Sequence, residues 1–166
     1  MAAANIDTAP TTERVFILCF RLAMAWTFLY AASHQIVGDF SVARFLSHTK
    51  TFHDVYAPFT NPTVAPVISF LVGYGHLLIG LSLLCGLMVR VSSLFGIVLL
   101  MMYWTAHMDF PFIENKNNFL LDYHVVYSGL LAYLFYKRAG HVLGLDALVD
   151  KLSFVEEHPK LRPLFA

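Results

Sequence analysis

Residues 67–89 read VISFLVGYGHLLIGLSLLCGLMV, and after Arg90 residues 91–106 continue VSSLFGIVLLMMYWTA. The first run contains no Asp, Glu, Lys or Arg, and a helix needs roughly 20 such residues to cross a hydrocarbon layer. A chain that leaves the bilayer only around Arg90 has to reverse there, so the pair reads as a tight helical hairpin. Two more apolar blocks, 15–33 and 119–136, bring the count to four. The third is short for a span.

Composition says the same. Hydrophobic residues make up 58% of the chain and charged residues 13%, with a mean hydropathy of +0.63. A soluble domain carries about 25% charged residues, so this balance needs lipid as solvent. No stretch shows the ten-residue apolar/polar alternation of a membrane barrel. The expected fold is therefore all-α: an integral membrane four-helix bundle spanning 13–138, preceded by a flexible tail, 1–12, and followed by a cytoplasmic tail, 139–166. The first block follows Glu13 and Arg14, not a basic cluster, and reads as a span instead of a cleaved signal.

Lys and Arg beside the spans set the orientation. Arg14, Arg90, Lys137, Arg138, Lys151, Lys160 and Arg162 fall on one side, and Arg44, Lys50 and Lys116 on the other. Both termini are expected in the cytoplasm. The long outer loop carries Phe45, Phe52, Val55, Tyr56 and Phe59 at helical spacing, which predicts short interfacial helices. After the last span Leu145, Leu148, Val149 and Leu152, opposite Asp146, Asp150 and Lys151, predict an amphipathic helix on the inner leaflet or on a partner subunit. Cys19 and Cys85 match no metal or redox spacing and read as small buried thiols.

Polar groups inside spans are costly, about 2.5–3.5 kcal/mol each for charged ones at the centre, and need partners. Arg21 lies about two turns into the first span, placed to snorkel towards headgroups or to pair with a carboxylate or quinone-like ligand. His76 is about 9 residues, or ~14 Å, into the second span. It shares a face with Ser69, Gly73 and Gly80, small residues that admit a neighbouring helix, so it points into the bundle. It can serve as a bonded neutral imidazole or as a proton-transfer or ligand group.

A second group collects at the outer ends of the spans: His34, His107, Asp109, Asp122 and His124. With His48, His53, Asp39, Asp54 and Glu114, the outer side holds five of the eight histidines and five of the eleven acids. His124, Tyr127 and Ser128 share a face, Tyr103 and His107 form an i, i+4 pair, and helical spacing turns Asp122 away from His124. Such a shell can bind a quinone headgroup and exchange its protons, or form an interfacial belt. The sequence has no HxxxH, HxH or CxxC, and no metal site is expected. A b-type haem is not expected either, since His76 has no second histidine at its depth.

The run 75–90, GHLLIGLSLLCGLMVR, resembles the second-span signature of the DoxX/DoxD family, G-E-L-L-I-G-L-x-L-L-x-G-L-x-x-R. Residues 21–31, RLAMAWTFLYA, look like the family's first span, and 121–127, LDYHVVY, like the D-x-H element that opens its last. The resemblance covers about 14–138. His76 stands where the family commonly has Glu, and Gln35 where a Lys often closes the first span.

The resemblance implies a multi-pass protein of the bacterial or archaeal cytoplasmic membrane. It also implies a function: a quinone-interacting subunit of a redox complex, similar to thiosulfate:quinone oxidoreductase. In that reading His76, Asp122 and His124 are catalytic, and Arg21, His34, His107 and Tyr127 bind the quinone. The sequence carries no flavin or iron-sulfur motif, so any other redox centre belongs to a partner. The alternative is a noncatalytic accessory subunit on a larger respiratory or oxygenase complex, packed through its helices around Gly80. Lipid, quinone and further subunits or copies of the chain are the expected partners; nucleic acid is not.

Overall fold

The computed structural model describes residues 9–107, 109–112, 121–158 and 160–165. The tail up to residue 8, Glu114, Lys116 and the first residues of the fourth apolar block, Phe119 and Leu120, lie outside the described residues. Among the described residues the regular elements are helical. In chain order they are α1 (Thr11–Val37), α2 (Val42–Leu46), α3 (His53–Tyr56), α4 (Ala65–Cys85), α5 (Val89–Thr105), α6 (Tyr123–Tyr136), α7 (Asp146–Val149), α8 (Ser153–Glu157) and α9 (Arg162–Phe165).

α1 and α4 are long and apolar enough to cross a membrane, and α5 is apolar but shorter. Trp26, Leu78 and Phe95 point outwards, 66–70% exposed, so the outer face is apolar too. α1 packs chiefly on α4, and α5 on α6. Small residues allow both approaches. A Cβ on Gly80 would meet Leu29 Cγ at 2.7 Å, and one on Gly96 would meet Leu131 Cδ1 at 2.7 Å and Phe28 Cζ at 3.2 Å. The small-residue face of α4 is thus used inside the chain, against α1, and is not free for a partner.

Boundaries differ from the hydropathy blocks for local reasons. α4 stops at Cys85 because Gly86 takes the left-handed conformation, φ 67°, as its C-cap. α6 starts at Tyr123, not 119, because Asp122 is extended, φ −70° and ψ 146°, and caps the helix with its side chain. Between α1 and α4, α2, α3 and a short 3₁₀ turn (Ala57–Thr60) cover one end of the bundle. Val42, Leu46 and Tyr56 pack there on Ala106. Thr49 Oγ1 donates to the Ala106 carbonyl at 3.0 Å, and Val42 N donates to Ser69 Oγ at 2.9 Å.

The opposite end is organised by Arg21. The guanidinium does not snorkel; it is 1% exposed. Nη1 donates to the carbonyls of Ala139 at 2.7 Å and Val142 at 2.8 Å, and Nη2 to that of Leu143 at 3.1 Å. The C-terminal segment is drawn against the α4–α5 turn, where Leu145 N donates to Cys85 O and Asp146 N to Gly86 O.

The expected amphipathic helix after the last span does not form as one element, because Asp146 is not a solvent-side residue. It is buried, and its carboxylate accepts from Met88 N at 2.6 Å and Val89 N at 3.1 Å. It thus caps α5, whose own N-cap residue supplies no side-chain bond. Burial pushes the Asp146 carboxyl above the usual carboxylate range, while the two amides, His141 and Arg21 pull it back. Beyond it the chain breaks into the single turns α7 and α9 and the short α8, leaving Leu148 and Leu152 exposed. Cys19 and Cys85 are exposed, not buried, on the outward faces of α1 and α4.

Replacing Arg21 by Leu leaves the Val142 carbonyl buried without its donor, at about 1–3 kcal/mol, and the Ala139 carbonyl with only the Val142 amide at 3.2 Å. The expected result is a lowered unfolding midpoint in detergent, with Arg21→Lys intermediate because an ammonium cannot reproduce the fork. An unchanged midpoint for Arg21→Leu would remove the guanidinium from its organising role.

Candidate functional site

Under the cover formed by α2 and α3, three aromatic side chains from three helices follow one another. His76 of α4 meets Tyr103 of α5 edge-on, with ring centroids 5.7 Å apart, and Tyr103 stacks on His124 of α6 at 5.6 Å and 14°. Phe28 of α1 closes the far side of His76 at 5.5 Å. Together with Gln35, His107 and Tyr127 they line a cavity of about 240 Å³. That is below the 300–1,000 Å³ typical of drug-sized ligands and on the scale of one substituted ring.

Hydrogen bonds fix which atoms the cavity is offered. His76 Nδ1 lies 2.8 Å from the Val72 carbonyl, which can only accept, so Nδ1 carries the proton and Nε2 is left over. Gln35 Nε2 donates to Tyr103 Oη at 3.0 Å, which leaves the phenolic proton available; Gln35 Oε1 is buried without a partner. The ring thus presents a donor, and the histidine an acceptor, to the same space.

Asp122 organises the end near the cover. As N-cap of α6 it is not helical, so its side chain folds back instead of turning away from His124 as helical spacing predicts. Oδ1 accepts from His124 N at 2.6 Å and from its Nδ1 at 2.5 Å. Oδ2 lies 3.2 Å from His107 Nε2, just past the end of α5. Asp122 is 1% exposed, and the His107 side chain, at 33%, reaches the surface. The carboxylate thereby joins two imidazoles from different helices.

The residues singled out from sequence fall into two groups. His76, His107, Asp122, His124 and Tyr127 come together around the cavity. Arg21 does not, being bonded to the 139–143 backbone at the other end. His34 is exposed, holds the Tyr30 carbonyl at 3.0 Å, and lines a separate open depression with Arg44 and His48. Asp109 pairs with Lys50 at 3.2 Å, away from the cavity. His76 and His124 line one cavity although their sequence depths differ, because α6 begins only one residue before His124 and Tyr103 bridges the gap. Tyr103, placed by its i, i+4 pairing with His107 in the outer shell but given no role there, and Gln35, noted only where a Lys often closes the first span, are central to it.

A model of the DoxX family matches residues 16–108, a stretch that holds Gln35, His76, Tyr103 and His107 but ends before Asp122 and His124. No curated protein and no solved structure matches the chain.

Asp122→Ala removes the cap of α6 and the anchor of both histidines, and is expected to cost about 0.5–2 kcal/mol. Asp122→Asn retains a capping acceptor and should recover most of that loss in thermal unfolding. Equal losses for both variants would show that the charge, not the cap, carries the effect.

Proposed function

The chain belongs to the DoxX family, and from that membership and the cavity we propose that it is the quinone-interacting subunit of a membrane redox complex. In this reading α1, α4, α5 and α6 form the membrane-embedded part of a protein of the bacterial or archaeal cytoplasmic membrane, with both termini in the cytoplasm, as the Lys and Arg distribution favours. The covered end then faces outwards. The observation that carries the proposal is the contiguous set His76, Tyr103 and His124, whose free polar atoms line one ring-sized cavity among apolar helices.

Quinone reduction takes two electrons and two protons at two carbonyl oxygens. Tyr103, with its oxygen already accepting from Gln35, donates a hydrogen bond to one oxygen. The His124 ring, held through Nδ1 by Asp122, faces the other, and the two protons that reduction consumes enter from the surface at His107 and pass along Asp122 to His124 and the reduced quinone. Electrons come from a partner subunit acting on a donor of the thiosulfate type.

A second reading, the accessory subunit, is favoured by one feature. An apolar groove of about 720 Å³ lies along α4 and α5 beside their shared turn, lined by residues such as Leu78, Phe95 and Met102. Such a groove can seat an apolar helix of a larger complex.

In the purified complex, His76→Ala and Tyr103→Phe should each weaken binding of a short-chain quinone analogue at least about tenfold, with His34→Ala unchanged. Quinone reduction unaffected by His124→Ala, in a complex that retains the chain, would support the accessory reading instead.

A further inference from the structure

His107, Asp122 and His124 each offer one ligating atom, and the three atoms lie within 4.8 Å of one another. Two of the side-chain atoms there are unsatisfied. Asp122 Oδ2 and His107 Nε2 are both buried, face each other at 3.2 Å, and have no aligned hydrogen-bond partner. A buried carboxylate oxygen in that state is costly unless a positive charge neutralises it.

The 3.2 Å between Asp122 Oδ2 and His107 Nε2 fits two ligands of one metal ion. Bonds of about 2.0–2.1 Å from a tetrahedral centre place neighbouring ligand atoms roughly 3.3 Å apart. Asp122 Oδ1 holds His124 by both its backbone amide and its ring, so the same carboxylate that offers Oδ2 also fixes where the His124 imidazole sits. The three ligands are spread over 107, 122 and 124, on two helix ends, which is why no metal-binding spacing is visible in the sequence.

We propose that His107, Asp122 and His124 bind one divalent transition-metal ion of the zinc or ferrous type. Two imidazoles and one carboxylate suit such ions and leave at least one coordination position open. His107 and His124 both line the cavity, so that position opens onto it. The partly exposed His107 gives the ion its way in from the surface. His76, beyond Tyr103, is not a ligand. The proposal goes beyond the quinone reading and does not depend on it, since occupancy is measured with no quinone present; an ion held there takes the place of the direct Asp122–His107 proton contact.

The test uses the full-length protein in mild detergent, stripped with a chelator and titrated separately with Zn²⁺ and Co²⁺. Expected are one equivalent per chain by calorimetry and, with Co²⁺, visible absorption of a four- or five-coordinate nitrogen–oxygen site. His107→Ala, at a partly exposed position that the helix caps do not need, and His124→Ala should each weaken binding by more than about 100-fold, beyond the 10–100-fold typical of losing an outer partner. The His34→Ala, His48→Ala double variant should bind as the parent does. No stoichiometric binding, or binding lost in the His34/His48 variant and kept in His107→Ala, overturns the assignment.

Discussion

A guanidinium in an apolar bundle must be given acceptors or removed, and Arg21 is given three. Its bonds to Ala139, Val142 and Leu143 decide where the chain after α6 can run. That path lays Leu145 and Asp146 along the α4–α5 turn, where Asp146 caps α5. Neither device works without close backbone approach. A Cβ on Gly86 would meet Arg21 Nη1 at 2.7 Å, as would one on Gly144, and a Cβ on Gly140 would collide with the Asp146 carboxylate. Lys137, paired with Glu13 at 2.5 Å, ties the start of α1 to the end of α6 at the same level, and this bond holds its ammonium above the usual range.

With one end fixed in this way, the other can carry polar groups used differently. There the buried carboxylate is not met by a guanidinium. Asp122 faces two imidazoles, whose protonation and ligation are adjustable, and between them and His76 the helices leave a cavity instead of closing. Among the described residues, two acids are buried, with opposite fates. Asp146 spends both oxygens on backbone amides, whereas Asp122 keeps one oxygen uncommitted.

The helices were legible because apolar runs of span length admit few other structures, and the short helices of the long loop followed from spacing; the hairpin turn expected around Arg90 lies just before it, at 86–88, where Gly86 ends α4 and Arg90 is already in α5. The burial of His76 followed from the small residues on its face. What could not be read was the non-local part. Nothing near Arg21 in sequence marks acceptors more than a hundred residues away. Helical spacing misdirected Asp122 because a cap residue does not obey it. The expected amphipathic helix failed because one of its solvent-side residues, Asp146, was needed to cap α5. Apolar stripes report which faces seek cover, but not which polar side chain another element will borrow.

The Arg21 corner also has a schedule. Its acceptor Ala139 is 118 residues further along the chain, and at about 5–20 residues per second of synthesis the arginine waits roughly 6–24 s for it. Throughout that interval α1 carries an uncompensated cation at the position it will later bury. The Arg21 contacts of the first helix therefore cannot close until the last segment arrives. A chain cut short before residue 139 keeps that cation without its acceptors.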